Sequence, residues 1–417
     1  MRFIHTADIH LDSPLHGLAA YPDAPVAQLR NATREAFTEL VSRAIEEKVD
    51  FIIIAGDLYD GTWRDHNTGI FFSREMGRLK RAGISAFVLF GNHDAESEMT
   101  KKLDLPDNVR CFGTQKAEVI KLEDLRVALH GRSFKVKETT DNLAVAYPPP
   151  VPGYYNIGVL HTALEGCAAH ASYAPCTLAE LHTKGYQYWA LGHVHEFAQW
   201  NGPSTIVFPG NLQGRNIRET GRRGAVLVTV DDAGGTTVER LYVDVLRWEV
   251  LTVDASECGS LLEVSRQVGG ALEDLLKNDS HVPRAVRVTV TGRSKAHGEL
   301  FGLEAQLRSE VLGRIAAIGN ERLWLEKVKL ETEAFIDTAT AEARLDAFAD
   351  LQEILSEAVE DPEFLKQLKD DFGQFIAKLP LDLLTSVPAL QSVRNGDLGT
   401  LIKAVSPGLL AHLAQGE

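Results

Sequence analysis

Five apolar runs in the first half of the chain each stop on residues suited to hold a divalent metal, and this restricts the fold more than any other feature. Arg2-Phe3-Ile4-His5-Thr6-Ala7 leads into Asp8-Ile9-His10, and Phe51-Ile52-Ile53-Ile54-Ala55 into Gly56-Asp57. Ala86-Phe87-Val88-Leu89-Phe90 precedes Gly91-Asn92-His93-Asp94. Tyr155-Asn156-Ile157-Gly158-Val159-Leu160 ends on His161, and Tyr188-Trp189-Ala190-Leu191 on Gly192-His193-Val194-His195. Short, nearly continuous apolar runs of this kind read as strands buried on both faces. In open α/β sheets, ligands collect beyond the carboxyl ends of such strands.

The residue types define the chemistry. Two cations held a few ångströms apart repel strongly, so a bridging anion must lie between them, and Asp57 is suited to that place. Asp8, His10 and His195 then fit one ion, and Asn92, His161 and His193 the other. Imidazole with carboxylate and amide oxygen suits manganese, iron or zinc and needs no cysteine. Open positions remain for water and for two oxygens of a phosphate.

In this order, Asp-x-His, Gly-Asp, Gly-Asn-His-Asp, His and Gly-His-x-His resemble the motifs of the calcineurin-type metallophosphoesterases. The opening Arg2-Phe3-Ile4-His5-Thr6-Ala7-Asp8-Ile9-His10-Leu11-Asp12 is similar to that of the SbcD and YhaO-like DNA repair nucleases. The resemblance implies an α/β fold: a two-sheet sandwich flanked by helices over residues 1–245, a small α+β capping domain over 246–335 and a helical region over 336–417. It makes Asp8, His10, Asp57 and His195 the ligands of one metal, and Asp57, Asn92, His161 and His193 those of the other. Two ions are implied, manganese first, with iron or zinc as alternatives. His93 becomes the general acid that protonates the leaving oxygen while water attacks phosphorus in line. Position 60 carries aspartate, as in bacterial SbcD-like forms, where archaeal and eukaryotic members carry a second histidine. The family also implies DNA as substrate, an SbcC-like coiled-coil ATPase as partner, and dimerisation through helices early in the phosphoesterase domain, here within Ala27–Glu47.

Other segments add expectations. Asp94 reads either as an orienter of His93 or as a helix cap. His16 lies close enough to the first cluster for a supporting role. Arg215, Arg218, Arg222 and Arg223 follow a glycine-rich turn after Phe208, and arginine forks match phosphate oxygens. Arg215 and Arg218 are therefore candidate DNA contacts, with Lys101, Lys102, Arg132, Lys135 and Lys137 as a broader rim. Past residue 245, Trp248–Val253, a helix over 261–276, the alternation Val286-x-Val288-x-Val290, a helix over 300–315 and Leu323–Val328 read as a β-α-β-α-β unit. In the family, a unit of this kind leans over the active site and helps select DNA ends. Leu345, Phe348, Leu351 and Leu355 form one helical stripe, and Leu365, Leu368, Phe372, Phe375, Ile376 and Leu379 a second, opened by Asp361-Pro362. The family places the ATPase-binding helices here.

Composition limits the function classes. The formal net charge of −15 argues against a chain that coats nucleic acid with a basic face. Part of the excess sits in residues 341–417, which hold 6 Lys+Arg against 13 Asp+Glu. Cys111, Cys167, Cys176 and Cys258 are scattered and read as reduced. No apolar stretch approaches membrane-spanning length, and the first strand begins at residue 1, so the expected location is cytoplasmic with no membrane contact. Two further function classes share these motifs: a phosphodiesterase or phosphatase acting on small nucleotides or phosphoproteins, and a non-enzymatic scaffold that binds DNA ends.

Overall fold

The computed structural model describes residues 1–13, 26–60, 66–96, 105–165, 173–277, 282–318, 322–335, 353–359, 361–376, 396–399, 401–403 and 405–406. His16, Lys101, Lys102, Cys167, Leu345, Phe348 and Leu351 lie outside these residues. The chain divides into two compact units. The first comprises residues 1–250, 280–286 and 321–326, and the second 251–279, 287–320 and 327–417.

The first unit is built on two six-stranded sheets. One is ordered β12 (Thr236–Tyr242), β11 (Gly224–Val230), β1 (Arg2–Thr6), β2 (Phe51–Ala55), β3 (Ser85–Leu89) and β4 (Val109–Cys111). Its strands β1 to β4 run parallel, whereas β11 pairs antiparallel with both β1 and β12. The other sheet is ordered β5 (Glu118–Leu122), β6 (Val127–Gly131), β7 (Tyr155–His161), β8 (Tyr188–Gly192), β10 (Thr205–Phe208) and β9 (Ala198–Trp200). Here β6, β7, β8 and β10 are parallel.

Alternation along each strand explains the continuous apolar runs. Phe3, Phe51, Ile53, Phe87 and Leu89 turn into the core between the sheets, joined by Val127, Leu129, Ile157, Val159 and Tyr188. Ile4, Ile52, Ile54, Ala86 and Val88 turn outward onto helices α1 (Val26–Glu46) and α2 (His66–Arg81), against Phe37, Leu40, Phe72 and Met76. Each face is covered, so every position is apolar. Phe3 and Phe51 stack with ring centroids 5.0 Å apart, and Tyr188 meets Phe3 edge-on at 5.4 Å. Loss of one such ring costs about 3–5 kcal/mol.

The remaining elements form a smaller α+β assembly. Strands β13 (Arg247–Asp254), β14 (Arg284–Ser294) and β15 (Leu323–Ala334) make a three-stranded sheet in that order. Helices α3 (Leu261–Lys277) and α4 (Glu304–Ile318) pack side by side and bury Val264, Val268, Leu272, Leu307 and Val311. Val286, Val288 and Val290 are fully buried along one face of β14, as the alternation in the sequence predicts. Further on, the helix Pro362–Ile376 starts where Asp361 caps it, its Oδ1 accepting from the amides of Glu363 and Phe364 at 2.8 and 3.2 Å.

Candidate metal centre

The parallel strands β1, β2, β3, β7 and β8 all end at the same edge of the sandwich, and their last residues or next turns converge there. Among the described residues, three groups of side chains place one ligand atom each within 4.8 Å of one another: Asp8, His10 and His195; Asp57, His161 and His193; and His10, Asp60 and His93. Six of the seven expected ligands fall in the first two groups. The seventh, Asn92, sets its Oδ1 3.0 Å from His161 Nε2.

Asp57 occupies the middle. Its Oδ2 lies 3.4 Å from His161 Nε2 and 4.0 Å from His10 Nε2, and its Oδ1 accepts from the His93 amide at 3.0 Å. One carboxylate thus faces both halves of the site. The backbone is contorted to bring the donors inward, with φ of 49° at Asp8, 46° at His10, 52° at Asp57 and 103° at His193. Such left-handed residues cost about 1–3 kcal/mol each and persist only where surroundings over-determine them. Here the turns after β1 and β2 are laced together, Asp8 N to Gly56 O at 3.0 Å, His10 N to Asp57 O at 3.0 Å and Leu11 N to Leu58 O at 2.9 Å. The His193 amide donates to Asp8 Oδ2 at 2.9 Å.

Two glycines are required by close approach. A Cβ on Gly91 would lie 2.4 Å from Asp57 Oδ1, and one on Gly192 would lie 2.0 Å from the Ala55 carbonyl oxygen. The glycines noticed before the ligands in the sequence therefore leave room for the ligands of neighbouring strands.

The donor set suits two divalent cations, and the tautomers are prearranged for them. His161 Nδ1 donates to Ala55 O at 3.0 Å, so it is Nε2, directed at Asp57 and Asn92, that becomes the ligand atom once it gives up its proton. His195 Nδ1 pairs with Glu219 Oε1 at 2.8 Å, which likewise turns Nε2 inward, 3.3 Å from His10 Nε2. Two imidazole nitrogens facing each other at that distance, next to carboxylates, are best reconciled by a cation between them. His10 Nδ1 is buried without a hydrogen-bond partner.

Electrostatics points the same way. Burial by itself pushes His161 down, but the Asp57 charge and hydrogen bond, helped by Asp8 and the Ala55 carbonyl, hold it up to about 9. Asp57 is held well below the usual carboxylate range: burial raises it, and the facing His161, His10 and His93 outweigh that. Burial raises Asp8 above its ordinary value. Burial and the Arg215 charge lower His10 to about 3. A site that keeps a proton among its acids is one in which a metal cation takes the proton's place.

His93 stands apart from the ligands. Its side chain is 35% exposed, whereas those of His10 and His161 are fully buried. Its Nδ1 lies 3.0 Å from Asp60 Oδ1. Burial lowers the imidazole, yet the Asp60 hydrogen bond and the Asp57 and Asp60 charges raise it overall. Asp60 itself is fixed by Ser13 Oγ at 2.6 Å.

The structure decides between the two readings of Asp94 in favour of the cap. Asp94 does not orient His93; that partner is Asp60. Asp94 instead accepts from the amides of Leu58, Tyr59 and Gly91 at 3.2, 2.9 and 3.0 Å, tying the Asp57 loop to the Asn92 loop. The carboxylate of Glu219 was not expected at all. It bonds His195, the Asn211 amide at 2.9 Å and the Arg215 backbone at 2.7 Å. No motif marks it, because a glutamate in a polar segment 24 residues after His195 looks like any surface acid.

The four arginines after β10 are dispersed. Arg215 pairs with Glu219 at 3.2 Å and reaches 4.0 Å from Asp60, which places it against the metal centre. Arg218 is exposed. Arg223 is buried and spends its donors on His195 O at 2.6 Å, Asn211 Oδ1 at 3.2 Å and Glu196 at 2.6 Å. Arg222 stacks on Tyr242 at 4.0 Å. Of the expected rim, Arg132 bonds Thr114 O at 3.2 Å and Lys135 is exposed.

Cys111, Cys176 and Cys258 are free thiols. No helix among the described residues is long and apolar enough to cross a membrane.

Comparison with known proteins agrees with this geometry. The calcineurin-like phosphoesterase family model matches residues 1–197, and the model of the middle domain of metallophosphoesterase YhaO matches residues 248–333. The chain is 33% identical over 296 residues to the metallophosphoesterase YhaO of Bacillus subtilis (strain 168), covering 70% of this chain and 72% of that one. It is 25% identical over 335 residues to the DNA double-strand break repair protein Mre11 of Methanopyrus kandleri, covering 73% and 68%. It is 28% identical over 236 residues to the protein of that name from Sulfurisphaera tokodaii, covering 53% and 59%. With its candidate ligands gathered at one sheet edge around a central aspartate, this chain belongs to the calcineurin-like metallophosphoesterases, in their SbcD/YhaO-like branch, and is a dinuclear-metal phosphoester hydrolase.

Proposed function

We propose that this phosphoesterase cleaves phosphodiester bonds of DNA, as an exonuclease in DNA repair that works with a separate coiled-coil ATPase. The observation that carries the reading is His93: a partly exposed imidazole, tied through Nδ1 to Asp60, at the rim of a mostly buried nest of candidate ligands. Diester hydrolysis needs a proton for the leaving oxygen, and Asp60 shifts His93 toward its protonated form through Nδ1 while leaving Nε2 uncommitted to that bond. The likeness over most of their length to two proteins named for DNA double-strand break repair supports DNA as the diester.

When bound, two divalent cations supply Lewis acidity toward the phosphoryl oxygens and lower the pKa of water. Asp57, Asp8, His10 and His195 would hold one, and Asp57, Asn92, His161 and His193 the other; the donor set suits manganese, iron or zinc, and manganese is proposed on the family resemblance. The protein's own part is to fix the donors, to exclude bulk water from the buried half, and to deliver a proton from His93. Arg215 and Arg218 are the proposed phosphate contacts near the leaving group.

End-labelled single- and double-stranded DNA incubated with the protein in manganese, beside His93→Ala, tests the reading. Progressive shortening by the wild type, with the variant at least about a hundredfold slower and still holding its metals, is expected. Hydrolysis of bis(p-nitrophenyl) phosphate without cleavage of any DNA would move the substrate to small nucleotides. Tight DNA binding unchanged by chelation, without turnover, would make the protein an end-binding scaffold.

A further inference from the structure

Beside the metal centre, four side chains form a stack that the hydrolytic machinery does not use. Phe197 lies two residues past the ligand His195, between β8 and β9. The Arg240 guanidinium sits 4.2 Å from the Phe197 ring centroid and 5.0 Å from that of Tyr242, and Arg222 lies 4.0 Å from Tyr242. Arg240 and Tyr242 are two apart on β12 and so share a face. That strand is the outer edge of its sheet, and Tyr242 and Arg222 are exposed.

What holds these two arginines matters more than their number. An arginine fixed by a carboxylate has spent its fork, whereas one fixed by aromatic faces keeps its N–H donors for a phosphate. Among the described residues neither Arg222 nor Arg240 has an ion-pair partner, and Arg240 Nε is buried with no hydrogen-bond acceptor. Of the acids that act on Arg240, Glu196 is paired with Arg223 at 2.6 Å and Asp244 with Arg247 at 2.8 Å, so each offsets another arginine. In a chain of net charge −15, this is positive charge kept in one place.

We propose that Phe197, Arg240, Tyr242 and Arg222 form a track for the phosphodiester backbone of a polynucleotide strand leading away from the metal centre. The proposal rests on the DNA reading above and deepens it: the substrate is a polymer long enough to lie along β12, not a mononucleotide. The phosphates meet the free edges of the two guanidinium groups, and the rings hold those groups in place without competing charge. Each phosphate contact contributes a salt-dependent increment, about 0.7 in the slope of log affinity against log salt for a single strand.

The test is fluorescence anisotropy of a labelled single-stranded 20-mer across a salt series, without added divalent metal, for wild type, Arg222→Gln and Arg222→Gln/Arg240→Gln. Hydrolysis of bis(p-nitrophenyl) phosphate in manganese serves as control. The single variant should lose about 0.7 and the double variant about 1.4 from the slope, with diester hydrolysis unchanged. Arg222 is exposed, so its single variant remains informative if the double variant fails to fold. Wild-type slopes in a variant that binds DNA overturn the track alone. A wild type that hydrolyses the small diester yet binds no 20-mer removes the DNA reading and the track together.

Discussion

The two halves of the metal centre use the same side-chain types but are supported differently. Asp57, His161 and His193 are all buried, and His161 is oriented by a backbone carbonyl, Ala55 O. Asp8, His10 and His195 form the more open half, where the His195 side chain is 20% exposed and is oriented by a carboxylate that is itself held by Arg215 and Asn211. A backbone carbonyl cannot be altered without moving β2, so the deep half is as rigid as the sheet. The open half depends on side chains and can be tuned by substitution.

The largest effect should come from the residue the halves share. Asp57→Asn keeps the shape and removes the charge between the ions, so both affinities should fall by more than the about 10–100-fold typical of an outer partner, and activity with them. Metal titration by calorimetry reads this directly. A variant that still takes up two ions at wild-type affinity would deny Asp57 its central place.

Glu219→Gln should separate the halves. The amide group has the same shape but can donate to His195 Nδ1, which puts the proton on Nε2 and spoils the ligand. One of two metal affinities is expected to drop about 10–100-fold while the other holds. Equal losses at both would show that the halves are not independently supported.

The halves should also differ in their response to pH. His161 is held up to about 9 and must release its proton to bind, so affinity for the deep ion should fall about tenfold per unit as pH drops below 9. His10, lowered to about 3, is already neutral near pH 7 and adds no such dependence, so on the open half the proton to displace is the one that burial favours on Asp8. Parallel pH profiles for the two binding steps would contradict the assignment.

The smallest effect concerns His5, beneath the site. Its ring nitrogens lie 2.9 Å from the Tyr188 hydroxyl and 3.0 Å from Leu191 O, and burial lowers it to about 3. The unfolded chain binds this proton below about 6.5 and the folded chain does not. Stability is therefore fully present above 6.5 and is lost on acidification toward 3, by up to about 1.4 kcal/mol per unit. Urea midpoints at pH 7.5 and 5 should show a drop that shrinks in His5→Gln.

Much of this was legible beforehand because metal ligation needs particular atoms. Asp8, His10, Asp57, Asn92, His161, His193 and His195 are few in type, and each follows a run whose apolar character marks a strand buried on both faces. The alternation at Val286, Val288 and Val290 and the Asp361-Pro362 cap were likewise local signals. Asp94 stayed open between orienter and cap because a carboxylate next to His93 in sequence is not thereby next to its ring: the turn directs it back onto three amides, one of them at the start of its own helix. The arginine quartet looked like one grip, yet Arg223 is consumed inside the loop while Arg222 lies on a tyrosine of another strand.

Which side chains end the strands, and with them the candidate donor set and the family, could be read from local sequence, since strand periodicity and ligand chemistry are both short-range properties. Folding settled which proton sits on which imidazole, that Asp60 rather than Asp94 holds His93, and that Glu219 supports His195. Those facts depend on residues 24 to 106 positions apart meeting within about 3 Å. Such distances are set by sheet order and by the turns that close it.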